Sequence, residues 1–278
     1  MAYTLPPDRP ALMGILNVTP DSFSDGGLYA DRDAAVAHGL SLVEAGADIV
    51  DVGGESTRPG ADPVPAEDEI ARTIPVVEAL ARAGVTVSID TQKAEVARSA
   101  LDAGACIVND VGGLRRADMQ AAIRDWSGSG VSVCAMHMKG TPQTMQSLAD
   151  YGDVVAEVEA FLLAQAATAT ELGVPQSRVW IDPGIGFGKT TEHNLALLRA
   201  TDRLSSHGYP VLVGVSRKSF LGRILGGEST PAPTDRRLEA TLAAEMFAVE
   251  RGARIVRTHD VAATARALKV LRRLLGPG

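Results

Sequence analysis

The sequence predicts a single (β/α)8 barrel, the TIM type, spanning residues 1–278, and three observations predict it. Eight short apolar runs each end in a cluster of polar residues, and a helical pattern follows. The runs are continuously apolar rather than alternating, which marks strands covered on both faces, and no hairpin signal interrupts them. The loops are also asymmetric: segments after strands one, two and five are long and polar, whereas helix-to-strand returns are as short as Ala45-Gly46-Ala47 and Arg82-Ala83-Gly84. Parallel strands joined by helical crossovers, with long loops at the carboxyl ends, describe a barrel with its active site on one face. A doubly wound open sheet is the alternative; eight near-regular units favour closure.

The strand ends fall in order at Asn17, Glu55, Asp90, Asn109-Asp110, His137, Asp182, Arg217-Lys218 and Arg257 to His259. The first strand closes near Thr19 and a loop precedes a helix over Asp33–Ala45. Strand two, from Asp48 to Gly53, leads into a Pro- and Gly-rich loop and a helix over Glu67–Arg82. Helices are predicted from Gln92, over Met119–Trp126 and over Asp153–Leu172. Strand six enters Asp182-Pro-Gly-Ile-Gly-Phe-Gly-Lys-Thr190. Strand seven precedes helices over Phe220–Leu225 and Asp235–Arg251, and strand eight a last helix over Val261–Leu275.

A length of 278 residues with 45% hydrophobic content fits one barrel and fills a core easily. Aromatics make up only 4%, so Ala, Val, Leu and Ile must do the packing. A formal net charge of −7 argues against a dedicated nucleic-acid or anionic-membrane binder. Cys106 and Cys134 lie in predicted strands without zinc-like spacing, and read as buried thiols of a reducing compartment. With no secretory leader and no bilayer-length apolar run, the expectation is a soluble cytoplasmic protein.

Asp51, Glu55, Asp90, Asp110 and Asp182 lie in or beside strand ends and converge on one mouth if the barrel closes. A carboxylate there must be paired or hydrogen-bonded. Asp51, Glu55 and Asp110 serve either as structural polar groups or as functional ones. Asp90 and Asp182, at the very ends of apolar runs, read as functional. A carboxylate accepts paired N–H donors such as an aminopyrimidine edge, and Asn109 adds a donor and an acceptor. Arg58, Arg217, Lys218, Arg257 and His259 place positive charge at the same mouth, for an anion or for pairing with the acids. The Gly-Lys-Thr at 188–190 is not a phosphate-binding loop, because Pro183 occupies the first glycine position. The glycines instead let the backbone approach a flat ligand whose face Phe187 covers. His38, His193 and His207 read as surface residues. His137 lies in the mouth without an evident role, and no nucleophile–base pair is apparent.

Seven strings, NVTPDSFSDGG (17–27), DVGGESTRPG (51–60), SIDT (88–91), VND (108–110), DPGIGFGK (182–189), GVSRKSFLG (214–222) and RTHD (257–260), resemble the dihydropteroate synthase family, the sulfonamide targets of folate synthesis. The resemblance runs across essentially the whole chain. It implies displacement of diphosphate from 6-hydroxymethyl-7,8-dihydropterin diphosphate by 4-aminobenzoate, together with Mg2+ and a homodimer. It assigns Asp90, Asn109, Asp182 and Lys218 to the pterin, with Phe187 near the ring. Asn17 falls to Mg2+, and Arg257, His259 and Arg58 to the diphosphate. Thr57, Pro59, Phe23, Arg217 and Ser219 fall to the aminobenzoate pocket. Asp90, Arg58, Lys218, Arg257 and His259 are the expected catalytic set, and the loops at 19–32 and 55–66 are expected to close over the substrates. A pterin-dependent methyltransferase would have no reason to carry the first, second and seventh strand-end strings. A non-catalytic pterin-binding paralogue would be expected to lose Asn17, Arg58 or the final Arg-x-His.

Overall fold

The computed structural model describes residues 2–19, 27–58 and 60–276, leaving aside the side chains of 27–31. The strands are β1 (Ala11–Asn17), β2 (Ile49–Gly53), β3 (Val87–Asp90), β4 (Ile107–Asp110), β5 (Ser132–Met136), β6 (Val179–Asp182), β7 (Leu212–Val213) and β8 (Ile255–Thr258). All pair in parallel in the order β6-β5-β4-β3-β2-β1-β8-β7. A parallel bridge between Ile181 and Val211, with the Ile181 N–H donating to the Pro210 carbonyl at 3.0 Å, joins β6 to the approach of β7 and closes the barrel. The predicted (β/α)8 fold is the observed one.

The helices are α1 (Gly27–Glu44), α2 (Ala66–Arg82), α3 (Ala94–Asp102), α4 (Ala117–Trp126), α5 (Val154–Glu171), α6 (Thr191–Arg199), α7 (Thr201–Ser205), α8 (Ser219–Gly226), α9 (Leu238–Glu250) and α10 (Val261–Leu275). α1 begins six residues earlier than the sequence predicts, directly at the second glycine of a Gly-Gly pair. α3 begins two residues later, because Lys93 is still extended. α6 and α7 had no predicted bounds. Thr190 starts α6 with a capping box, its hydroxyl accepting from the His193 N–H while the His193 ring accepts from the Thr190 N–H.

Alternation along each strand sorts the core into two layers. Outward residues such as Leu12, Val50, Val52, Ile89, Val108, Val133, Ile181 and Val256 pack against the helices. Inward residues Ala11, Met13, Ile49, Ile107, Cys134, Trp180, Leu212 and Ile255 fill the lower barrel. Tyr3 and Leu5 plug it from beneath, the Tyr3 ring standing edge-on to Trp180 at 6.3 Å. Each large side chain buried in this way contributes about 1.5–3 kcal/mol. Above the apolar floor the inward positions turn polar. Cys134 is buried as predicted, whereas Cys106 lies just before β4 and is only half-buried.

Candidate active site

The first polar layer above the floor centres on Arg257. Its Nε donates to Asp51 Oδ2 and its Nη2 to Asp90 Oδ2, both at 2.6 Å. Asp51 Oδ2 also accepts from Asn109 Nδ2 at 3.0 Å. Asp90 and Asn109 are register partners on β3 and β4, so their side chains stand side by side. Among the described residues one acceptor on each is unused: Asp51 Oδ1, Asp90 Oδ1 and Asn109 Oδ1 are buried and meet no hydrogen-bond partner there. Buried unpaired acceptors are costly and call for donors from elsewhere. Burial pushes the Asp90 carboxyl up, to about 7, against the pull of Arg257. Burial also raises Asp182, opposed first by Lys218.

Asp182 closes β6 and accepts the Gly184 N–H on Oδ1 at 2.7 Å. The loop after it doubles back so tightly that a Cβ on Gly184 would lie 1.9 Å from the His137 carbonyl oxygen. Gly186, at φ +84°, has its absent Cβ position 3.0 Å from Lys218 Cδ. The glycine spacing predicts a close backbone approach to a flat ligand; the approaches at Gly184 and Gly186 are to protein groups, the His137 carbonyl and Lys218. Lys218 donates to the Ile185 carbonyl and stands 4.5 Å from the centre of the Phe187 ring, a cation–π contact. Burial lowers its amine to about 8, with Asp182 pulling the other way. Phe187 rests on a small cluster of Val111, Met136, Met138 and Met145, which forms an apolar wall the sequence reading missed. The three methionines in and after β5 were its only signal.

His259 follows β8, and its ring and N–H both meet Ser216. The Ser216 hydroxyl accepts from the His259 N–H at 3.1 Å and lies 3.0 Å from Nδ1, which leaves Nε2 clear of this contact. Burial, then the charges of Arg257 and Arg217, push this imidazole down to about 4. The sequence reading counts His259 among the cations; here it is neutral. Ser216 lies inside the quoted SRK string, but only the fold reveals its role.

Arg217, at φ +58°, is paired with Asp260 at the start of α10, its Nε donating at 2.9 Å. Lys218, next in sequence, points instead to the loop after β6. Ser219 is exposed at the first turn of α8, Thr57 is half-buried and Arg58 exposed, its backbone N–H donating to Ser56. Asn17 ends β1 on the same parity as the inward Ala11 and Met13, with its Cα opposite Gly53. Phe23 and Pro59 lie outside the described residues.

Two of the ambiguous acids resolve as structural. Asp110 accepts the N–H groups of Gly112 and Leu114, both at 2.7 Å, and shapes the loop after β4. Glu55 accepts from the Val64 N–H and pairs with Lys93 at 2.8 Å; Lys93 also pairs with buried Glu69 at 2.5 Å. This triad ties the base of the second loop to α2 and α3. Asp51 does both: its Oδ2 holds Arg257 and Asn109, and its Oδ1 stays unpartnered among the described residues. His137 corrects the sequence reading in another way: it turns outward from the mouth, edge-on to Phe161 of α5 at 5.0 Å. The parity of β5 explains this, since Cys134 and Met136 face inward.

A barrel with unpaired acceptors beside an aromatic wall is the site of a heterocycle-binding enzyme. Residues 13–259 match the model of the pterin binding enzyme family. Mycobacterium leprae dihydropteroate synthase is 49% identical over 269 residues, covering 96% of this chain and 94% of that protein. The Escherichia coli K12 dihydropteroate synthase is 44% identical, covering 96% and 92%. Among solved structures, Xanthomonas albilineans dihydropteroate synthase with 4-aminobenzoic acid is 47% identical, with a TM-score of 0.88 covering 98% of this chain and 95% of that one. Burkholderia cenocepacia dihydropteroate synthase complexed with 7,8-dihydropteroate is 47% identical, with a TM-score of 0.85 covering 96% and 92%. The chain belongs to the pterin-binding enzymes and, among them, to the dihydropteroate synthase family, transferases of folate biosynthesis.

Proposed function

We propose that the barrel mouth joins 6-hydroxymethyl-7,8-dihydropterin diphosphate to 4-aminobenzoate, releasing diphosphate and 7,8-dihydropteroate, by a dissociative substitution. The observation that carries this reading is the row of buried acceptors on Asp51, Asp90 and Asn109 without partners among the described residues. A dihydropterin supplies ring and exocyclic N–H donors in one plane. Asp182, with one oxygen on the Gly184 N–H, offers the other to the same ring. Phe187 and Lys218 cover its face.

The bond from the pterin methylene to oxygen breaks, and its electron pair leaves with the diphosphate. The resulting cation spreads over the pterin nitrogens, and the Asp90 carboxylate stabilises it. Arg58 and Arg257 supply charge to the leaving group, and His259 offers its Nε2–H. 4-Aminobenzoate is neutral at its nitrogen, so it attacks the methylene without a strong base and sheds its proton afterwards. In this reading Thr57, Ser219 and Arg217 serve this second substrate, as do Pro59 and Phe23, and the loop between β2 and α2 closes over it to exclude water.

Mg2+ is the cation that fits this chemistry. The described residues contain no cluster of three His, Cys, Asp or Glu side chains suited to a resident metal. A lone amide at Asn17 suits an ion that takes its other ligands from diphosphate and water. When bound, Mg2+ neutralises charge on the leaving group. The protein works as a cytoplasmic homodimer in this reading. In support, no helix of the described residues is long and apolar enough to cross a membrane. Exposed Val270, Leu274 and Leu275 on α10 and Ile224 and Leu225 on α8 offer apolar surface for a second copy.

Asp90→Asn tests the chemistry. Turnover is expected to fall roughly 100-fold or more, with the melting temperature retained. Near-wild-type turnover would remove Asp90 from the cation-stabilising role.

A further inference from the structure

His137 and Lys189 take no part in the chemistry above, yet they are bonded to each other beneath the pterin-side loop. Lys189 is only 2% exposed, and its amine pairs with no carboxylate among the described residues. Its Nζ lies 3.0 Å from His137 Nδ1, 3.3 Å from the His137 carbonyl, 3.0 Å from the Gly184 carbonyl and 2.9 Å from the Phe187 carbonyl. Burial, then the charge of Lys189, push the imidazole down to about 3, and burial lowers the Lys189 amine to about 7.

The loop between Asp182 and Lys189 makes no sheet hydrogen bonds of its own. Its five carbonyls from 184 to 188 all accept from side chains instead: Lys189 takes two, Lys218 takes Ile185, Gln146 takes Gly186 and Tyr151 takes Gly188. Lys189 is the one side chain that reaches two of these carbonyls, those of Gly184 and Phe187, and so reinforces the turn that the Phe187 N–H closes onto the Gly184 carbonyl at 3.0 Å. His137 in turn is wedged against Phe161, so the clamp is anchored to β5 and α5. A buried, carboxylate-free lysine is costly, and an apolar side chain would fill the volume without that cost. What it would not supply is N–H donors directed at the His137, Gly184 and Phe187 carbonyls.

We propose that Lys189, seated on His137, is a positioning residue for pterin recognition: it clamps the loop after β6 so that Asp182 presents a fixed edge and Phe187 a fixed face to the heterocycle. This rests on the pterin reading above. The clamp acts on the pterin alone, since it does not touch the second loop or the region of Thr57 and Ser219.

The test compares wild type, Lys189→Met and His137→Leu by calorimetry with 6-hydroxymethylpterin diphosphate and by steady-state kinetics, with thermal melts alongside. Lys189→Met is expected to weaken pterin diphosphate binding about ten-fold, the loss of one or two hydrogen bonds. The KM for 4-aminobenzoate should stay within about two-fold and kcat should fall much less than affinity, since only binding geometry is lost. His137→Leu, which removes the Nδ1 contact and the edge-on ring contact with Phe161 but keeps an apolar side chain there, should shift pterin affinity in the same direction by less. Unchanged pterin affinity in folded Lys189→Met overturns the proposal, even if its melting temperature drops. Should Lys189→Met fail to fold, unchanged pterin affinity in His137→Leu overturns it instead. Failure of the wild type to bind the pterin would strike the functional reading rather than the clamp.

Discussion

Asp90, Asp182 and Lys218 share one patch of the barrel mouth, where burial moves each toward its neutral form. The proposed reaction needs the opposite: both carboxylates ionised and the amine protonated. As pH falls through the raised value of Asp90, its negative charge is lost; as pH rises through the lowered value of Lys218, its positive charge is lost. The profile of kcat/KM for the pterin diphosphate, which reports the free enzyme, should therefore be a narrow bell. Its acid limb should sit well above the ordinary carboxylate range, toward the value of about 7 at Asp90, and its basic limb near the value of about 8 at Lys218. A flat profile between pH 5 and 9, with the range set by the reference values of unperturbed side chains, would contradict the assigned protonation states. At this scale the strand-end acids were legible because an apolar run that stops at a carboxylate is conspicuous. Which acids are structural was not. The sequence reads Asp90 as functional and leaves Asp110 open, and only the folded chain gives Asp110 two backbone N–H groups and Asp90 an arginine from β8.

Among the elements, the loop after β6 is the most constrained. Gly184 sits at φ +64° with no space for a Cβ beside the His137 carbonyl. Gly184→Ala meets both penalties, and the positive φ alone costs about 1–3 kcal/mol. A thermal melt should show the loss, and pterin affinity should fall with it because Asp182 and Phe187 shift together. An unaltered melt and affinity would mean the loop relaxes freely. The same loop marks where element reading from sequence ran thin. Its glycines were visible as a close backbone approach, but the capping box that starts α6 was hidden by the Gly-Lys-Thr string, and β7, two residues long, carried too little pattern to bound. The strand-end order survived because burial on both faces writes it in every apolar run.

As a whole, the barrel separates what keeps it folded from what it does. Trp180, Met13, Ile49 and their neighbours fill the lower interior, and a second apolar layer lies between strands and helices. The charged groups stand above, where three acceptors lack partners among the described residues. Eight regular units made that architecture legible before any contact was known. The site needed the closed ring, because Arg257 reaches Asp51 and Asp90 only when β8 lies beside β1. The most direct measurement of the proposed reaction is release of diphosphate from the pterin diphosphate, with 4-aminobenzoate and Mg2+ each present or withheld. Release should require the pterin substrate and Mg2+, proceed with dihydropteroate formed in equal amount when 4-aminobenzoate is present, and collapse in Asp90→Asn. No release under any of these conditions, or release indifferent to both 4-aminobenzoate and Mg2+, would contradict it.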